Sequence, residues 1–170
     1  MAHLRRDDCT SLSNAREELA LGATLRCGNK VYTIRRAIRI ASGVTVFAAY
    51  SRHELEEDDN IKACEVLTRE LGWTCVLLPR SDVCGEKTAD VLNANDGTLW
   101  EIKTNHSGNP QSISKALQKA SKQAQNAIVR IVAQNFNMNA IEEAAKRRKT
   151  LTELKEIVFI VNGKISFLRR

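Results

Sequence analysis

The sequence predicts an α/β protein in which a mixed β-sheet, flanked by helices, carries its functional residues on a central hairpin. Three observations predict this. Apolar residues recur at helical spacing over 53–71, with Ile61, Cys64, Leu67 and Leu71 on one face. The short runs "WTCVLLP" and "AIVRIV" read as strands. Between them, "KTADVLNANDGTLWEIKT" (87–104) alternates on both sides of an Asp-Gly pair, the mark of a β-hairpin.

Composition sets the bounds. A chain of 170 residues, 43% hydrophobic and 27% charged, can bury one sizeable core, so one domain with or without an extension is expected. No apolar run approaches the roughly 18 residues that span a bilayer. The opening "MAHLRRDDCT" has no apolar segment behind its basic residues, so no signal peptide is expected. Such a chain acts in a cytoplasm or arrives there by a route that needs no such signal. The net charge of +6 favours an acidic partner, nucleic acid being the commonest, although a basic protein without one has the same charge. Only 5% of residues are aromatic, which argues against a base-stacking single-strand platform. The five cysteines (Cys9, Cys27, Cys64, Cys75, Cys84) include no C-x-x-C pair, so a structural zinc site is not expected; Cys64 and Cys75 fall in apolar patterns and read as core.

In chain order, "SNAREELALG" predicts a short helix with Asn14 and Glu17 as a capping box and Gly22 as its stop. Residues 24–50, rich in Val, Ile, Thr and Tyr and broken by "GN" and "SG", predict an antiparallel meander. No chemical constellation appears in residues 1–50, which form an N-terminal extension or a small accessory unit; 51–170 form the main domain. On the following helix His53, Glu57, Asn60 and Ile61 share a face with the apolar stripe. A carboxylate there needs a partner, unless the helix starts later with Asp59 as N-cap.

The hairpin holds the chemistry. Side chains alternate along a strand, so Glu101 and Lys103 share one face and Trp100 and Ile102 the other. With Asp96-Gly97 as the loop, or a loop two residues longer centred on the same turn, Asp90 pairs with Lys103, and Asp90, Glu101 and Lys103 converge. Two adjacent carboxylates repel, and a divalent cation resolves the repulsion. Such a cation, Mg²⁺ or Mn²⁺ with Zn²⁺ as the alternative, polarises a phosphate oxygen and lowers the pKa of bound water. A neighbouring lysine can orient that water. An exposed, salt-bridged hairpin has the same spacing, and E-x-K alone is common.

Asp90 followed by "EIK" at 101–103 resembles the PD-(D/E)xK nuclease superfamily. Residues 53–131 resemble more closely the C-terminal tRNA-nuclease domains of contact-dependent growth inhibition (CdiA-type) toxins, through "ELEEDDNIKACEVLTRELGWTCVLLP", "KTADVL…LWEIKT" and "SISKALQKASKQAQNAIVRI". The likeness covers about half the chain, in the order helix, strand, hairpin, helix, strand. In these families proline usually precedes the first acid; here Ala89 does. The resemblance implies a metal-dependent tRNA nuclease toxin with a PD-(D/E)xK-like fold over 51–170 and a cognate, acidic immunity protein. It implies metal binding by Asp90, Glu101 and the Ile102 carbonyl, catalytic assistance from Lys103, and a further acid from the first helix: Glu57 by helix geometry, with Asp59 and Glu65 open.

In "QSISKALQKASKQAQNAIV", Ile113, Ala116, Leu117, Ala120 and Ala124 form one stripe and Lys115, Lys119 and Lys122 another nearly opposite. The lysines suit phosphate contacts or simply a solvated face. His106, in the preceding loop, is a candidate substrate contact. "NAIEEAAKRRK" predicts a helix ending in the basic run Lys146, Arg147, Arg148, Lys149, and "EIVFIVNGKISFL" a hairpin turning at Asn162-Gly163. A DNA endonuclease of the same superfamily and a non-catalytic nucleic-acid-binding module are the alternatives.

Overall fold

The computed structural model describes residues 19–81, 86–147 and 153–169. The predicted helix over 14–21 lies almost wholly outside them, as do Cys9, Cys84, Arg148 and Lys149. Ten strands and three helices follow one another as β1 (Thr24–Cys27), β2 (Lys30–Thr33), β3 (Arg36–Arg39), β4 (Thr45–Ala48), α1 (Glu57–Leu71), β5 (Cys75–Leu77), β6 (Val91–Asn93), β7 (Thr98–Asn105), α2 (Pro110–Ala120), β8 (Asn126–Ile131), α3 (Met138–Arg147), β9 (Glu156–Val161) and β10 (Lys164–Arg169). β1 and β2 form a separate two-stranded hairpin. The other eight make one mixed sheet in the order β10-β9-β8-β7-β6-β5-β4-β3. β4 runs parallel to β5, β7 and β8 run parallel to their successors, and the remaining pairs are antiparallel. The expected mixed α/β class holds, with the hairpin β6–β7 near the middle of the sheet; β3 and β4 extend its edge.

Alternation divides the core. Val46, Ala48, Cys75, Leu77, Trp100, Ile102 and Ile128 face α1, packing with its Ala63, Cys64 and Leu67. On the opposite face, α2 and α3 cover Ala127, Val129 and Phe159, while the β1–β2 hairpin covers Val76 and Leu92 through Leu25 and Tyr32. Glu101 and Lys103 point to this second face, at the seam between the two covers.

Three elements differ from expectation. α1 begins at Glu57, after Glu56 in the left-handed region (φ 67°), and three acids fill its first turn, where the helix dipole favours them. Gly72 (φ 66°) closes the helix and donates to the Thr68 carbonyl. α2 ends at Ala120, so Lys122 lies beyond it and is exposed, off the predicted stripe. The β6–β7 register is Val91↔Trp100, Leu92↔Leu99 and Asn93↔Thr98, with a four-residue loop that is not centred on Asp96-Gly97 as expected. Extending it by one residue sets Asp90 across from Glu101, not Lys103. The cause is side-chain chemistry: Asn95 Oδ1 accepts from the Thr74 amide at 2.8 Å and Asn95 Nδ2 donates to the Gly72 carbonyl, docking the loop onto the α1–β5 connection. The offset is two residues, so every side chain keeps its face.

Candidate active site

Asp90 leads into β6. Its backbone amide donates to the Trp100 carbonyl, and its Oδ2 accepts from the Ile102 amide at 2.8 Å. The N–H and C=O of one residue point to the same side of a strand, so the Ile102 carbonyl is directed to the side where Asp90 lies. Glu101 is 1% exposed. Its Oε1 accepts from the Lys103 ammonium, while its Oε2 is buried with no donor when both carboxyls are ionised; when one carries a proton, Asp90 and Glu101 share a hydrogen bond. The hairpin thus brings Asp90, Glu101 and Lys103 together, as expected from the alternation.

Burial raises both carboxyls. Asp90 lies above its usual range because desolvation outweighs the Ile102 amide and the Lys103 charge. Glu101 is pushed up to about 8, by burial first and by the Asp90 charge second, against the opposing pull of Lys103. A buried pair of this kind, with one oxygen unpartnered, gains from a cation that replaces lost solvation. The donors are all oxygens, the set hard divalent ions prefer. Among the described residues no third His, Cys, Asp or Glu completes a cluster with this pair.

The helix acids go elsewhere. Glu57, 1% exposed, accepts from Arg36 at 2.8 and 3.3 Å, and His53 Nε2 lies 3.1 Å from its Oε2. Glu57 does meet the predicted buried stripe, but its partner is a strand arginine rather than the hairpin. Burial, followed by the Glu57 charge and hydrogen bond, raises the Tyr50 hydroxyl pKa in the same cluster. Asp59 instead lines a cleft of roughly 220 Å³ with Ile102, Lys103, Thr104 and His106, and it pairs with Arg130 at 3.2 Å. Glu65 lies in a different cleft, beyond Arg130. Of the three candidate acids, Asp59 is the one that shares a cleft with Lys103.

A larger cleft of roughly 550 Å³ opens on the α2 side of Lys103 and includes Lys115 and Lys119. Both lysines are exposed, and Lys122 is not among its walls. The connecting loop is built by Asn105, a residue with no predicted role. Its Oδ1 accepts from the Ser107 and Gly108 amides at 3.2 and 2.9 Å, and its Nδ2 donates to Ser112 Oγ at 2.8 Å. Gly108 has φ +64°, and a Cβ there would meet the Cβ atoms of Ala133 and Phe136 at 2.9 Å. Asn109 then caps α2 by accepting from the Gln111 amide, with Pro110 in its first turn. The Asn-x-Ser-Gly-Asn-Pro spacing carries the signature of such a loop.

Arg80 was also missed. It pairs with Glu56, on the wall of the smaller cleft, and its charge acts on Asp90. The only signal for it is its place after Pro79, where the strand-forming run stops.

Residues 87–165 match the family model described as the contact-dependent growth inhibition CdiA C-terminal domain. The match contains Asp90, the whole β6–β7 hairpin and α2, but not α1. The fold is similar to that of a chain in the CdiA-CT/CdiI toxin and immunity complex from Burkholderia pseudomallei, with a TM-score of 0.52 and 21% identity, covering 71% of this chain and 91% of that one. No curated protein matches the sequence.

Proposed function

We propose that this chain is a metal-dependent nuclease toxin of the contact-dependent growth inhibition type, hydrolysing phosphodiester bonds in tRNA and neutralised by a cognate immunity protein. The observation that carries the reading is the convergence of Asp90, Glu101 and Lys103 on one sheet face, with a buried, unpartnered Glu101 oxygen beside a second carboxylate. The matched family model over this segment supports it. Asp90, Glu101 and the Ile102 carbonyl would hold Mg²⁺ or Mn²⁺; Zn²⁺ is less suited to a site made only of oxygen. A cation bound there supplies Lewis-acid polarisation of a phosphate oxygen and acidifies water. Lys103 orients the attacking water and offsets charge building on the phosphate. Lys115 and Lys119 hold the backbone from the larger cleft, and His106 and Asp59 form the walls of the smaller one.

The family description names the C-terminal domain of CdiA, so in this reading the chain reaches a target-cell cytoplasm as part of a larger secreted protein. Its immunity protein is acidic, matching a charge of +6. The deciding assay is cleavage of tRNA and of duplex DNA with Mg²⁺ or Mn²⁺, with and without EDTA. Cleavage of tRNA abolished by EDTA is the expected result. Cleavage that persists in EDTA would sink the mechanism, and cleavage of DNA alone would make the protein a DNA endonuclease.

A non-catalytic nucleic-acid-binding module is the second reading, favoured by the missing third ligand among the described residues. Calorimetric titration with Mn²⁺ separates the two: no heat from wild type or from Glu101→Ala selects the module.

A further inference from the structure

The parallel strands β7, β8 and β9 end together, and ligands of α/β sheets bind beyond such carboxyl ends. Past Arg130 along this edge lies a cleft of roughly 670 Å³ that the nuclease reading leaves unused. Lys62 and Arg130 bring cations to it, Gln134 and Asn162 bring side-chain amides, and Val66 and Ile160 bring an apolar wall. Glu65 adds a carboxylate. The volume is within the range of small-molecule sites.

The lining is mixed in an informative way. A groove that held only phosphates has no use for a carboxylate, which repels them. A nucleobase uses all of these groups: its ring face takes the apolar wall, amides bond its edge in pairs, and a carboxylate accepts from an exocyclic amine. The cations serve the attached phosphate. The cleft lies on the α1 face of the sheet's carboxyl edge, and Glu101 and Lys103 point to the other face, so an RNA strand reaches both by crossing that edge. Arg130 lies beside Thr104 in the β7–β8 register and beside Ile160 in the β8–β9 register, so Thr104, the neighbour of Lys103, is two strand spacings from the cleft wall at Ile160, about 10 Å. The Arg130–Asp59 ion pair joins this cleft to the one that Lys103 and His106 line.

We infer that this cleft is a nucleotide-reading subsite, which takes one unpaired RNA base near the scissile phosphate and sets where the enzyme cuts. The inference rests on the nuclease reading. Its test uses the cleavage-deficient Lys103→Ala chain and fluorescently labelled unpaired RNAs spanning the cut site mapped with wild type, each with one position made abasic. Affinity is read by anisotropy for this parent and for the same chain carrying Gln134→Ala or Lys62→Ala, two exposed changes outside the core.

One abasic position should weaken the parent about tenfold and the Gln134→Ala chain little further, because the contact is already gone. Lys62→Ala should weaken every RNA that includes the neighbouring phosphate. Equal affinity of parent and both variants for the intact RNA, or an abasic penalty that Gln134→Ala leaves unchanged, would overturn the subsite while leaving the nuclease reading in place. If the parent binds no RNA and wild type cuts none, both fall together.

Discussion

Glu101→Gln should stabilise the metal-free protein at alkaline pH. The wild-type carboxyl titrates at about 8 when folded, against 4.5 for an ordinary glutamate. Between these values the folded chain holds a proton that the unfolded chain has released. The contribution of this group to stability is therefore full below about pH 4.5 and falls as pH rises to about 8. A gap of this size corresponds to about 5 kcal/mol. Asp90 is raised by its own burial and lowered by its hydrogen bond with Glu101, so its shift is not added. Glutamine carries no charge to desolvate, and its amide can donate toward Asp90. The Lys103 attraction is already contained in that gap, and glutamine loses only what it fails to reproduce of the neutral carboxyl's hydrogen bonds, about 1–3 kcal/mol. The remainder, about 2–4 kcal/mol, is a rise in Tm of roughly 4–16 °C in a chain of this size. The assay is thermal unfolding of EDTA-treated wild type and variant from about pH 5 to about pH 8.5, the window in which the carboxyl changes charge. The two Tm curves should converge at the acid end and separate at the alkaline end, and Mn²⁺ should raise the wild-type curve alone. Parallel curves across the whole range would refute the argument that buried charge repulsion is stored at this pair.

Lys103→Ala should lower turnover by about 10²–10⁴ while leaving Mn²⁺ binding by calorimetry nearly intact, because its ammonium assists water and not the cation. Asp59→Asn should reduce cleavage more than Glu57→Gln does, since Asp59 shares a cleft with Lys103; the opposite ranking in a turnover assay would return the helix acid to Glu57. Arg36→Ala leaves the buried Glu57 without its main partner and should cost about 2–4 kcal/mol in denaturant unfolding. Gly108→Ala combines a left-handed backbone with overlap against Ala133 and Phe136, and should destabilise by about 2–4 kcal/mol on the same measurement.

What the sequence made legible is what short-range physics determines. The Asn162-Gly163 turn is found as read, with both residues at positive φ and Val161 paired to Lys164. The apolar stripe of α1, the burial of Cys64 and Cys75 and the shared face of Asp90, Glu101 and Lys103 follow from periods of 3.6 and 2. The site survived a register error because the error was even. What stayed hidden depends on contacts distant in sequence. Glu57 was rightly placed on the buried stripe, but nothing local says that Arg36, 21 residues earlier, neutralises it. Arg130 reaches Asp59 across 71 residues. Strand order was equally invisible, since each strand reads alike wherever it sits in the sheet.

Among the described residues the sheet is open, and its two edges share a character. β3, at one end, exposes Arg39 beside the neighbouring Arg35; β10, at the other, exposes Lys164 and Arg169. Arg169 also covers the half-exposed ring of Phe167, its guanidinium 5.0 Å from the centroid, while paired to Glu156. An unpaired strand edge is a template for another chain, and cations along it repel a second copy carrying the same charge. Part of the net charge that first suggested a polyanion partner therefore acts against self-association. A strand that brings carboxylates meets no such barrier, so cations placed this way favour an acidic strand over a second copy at either edge.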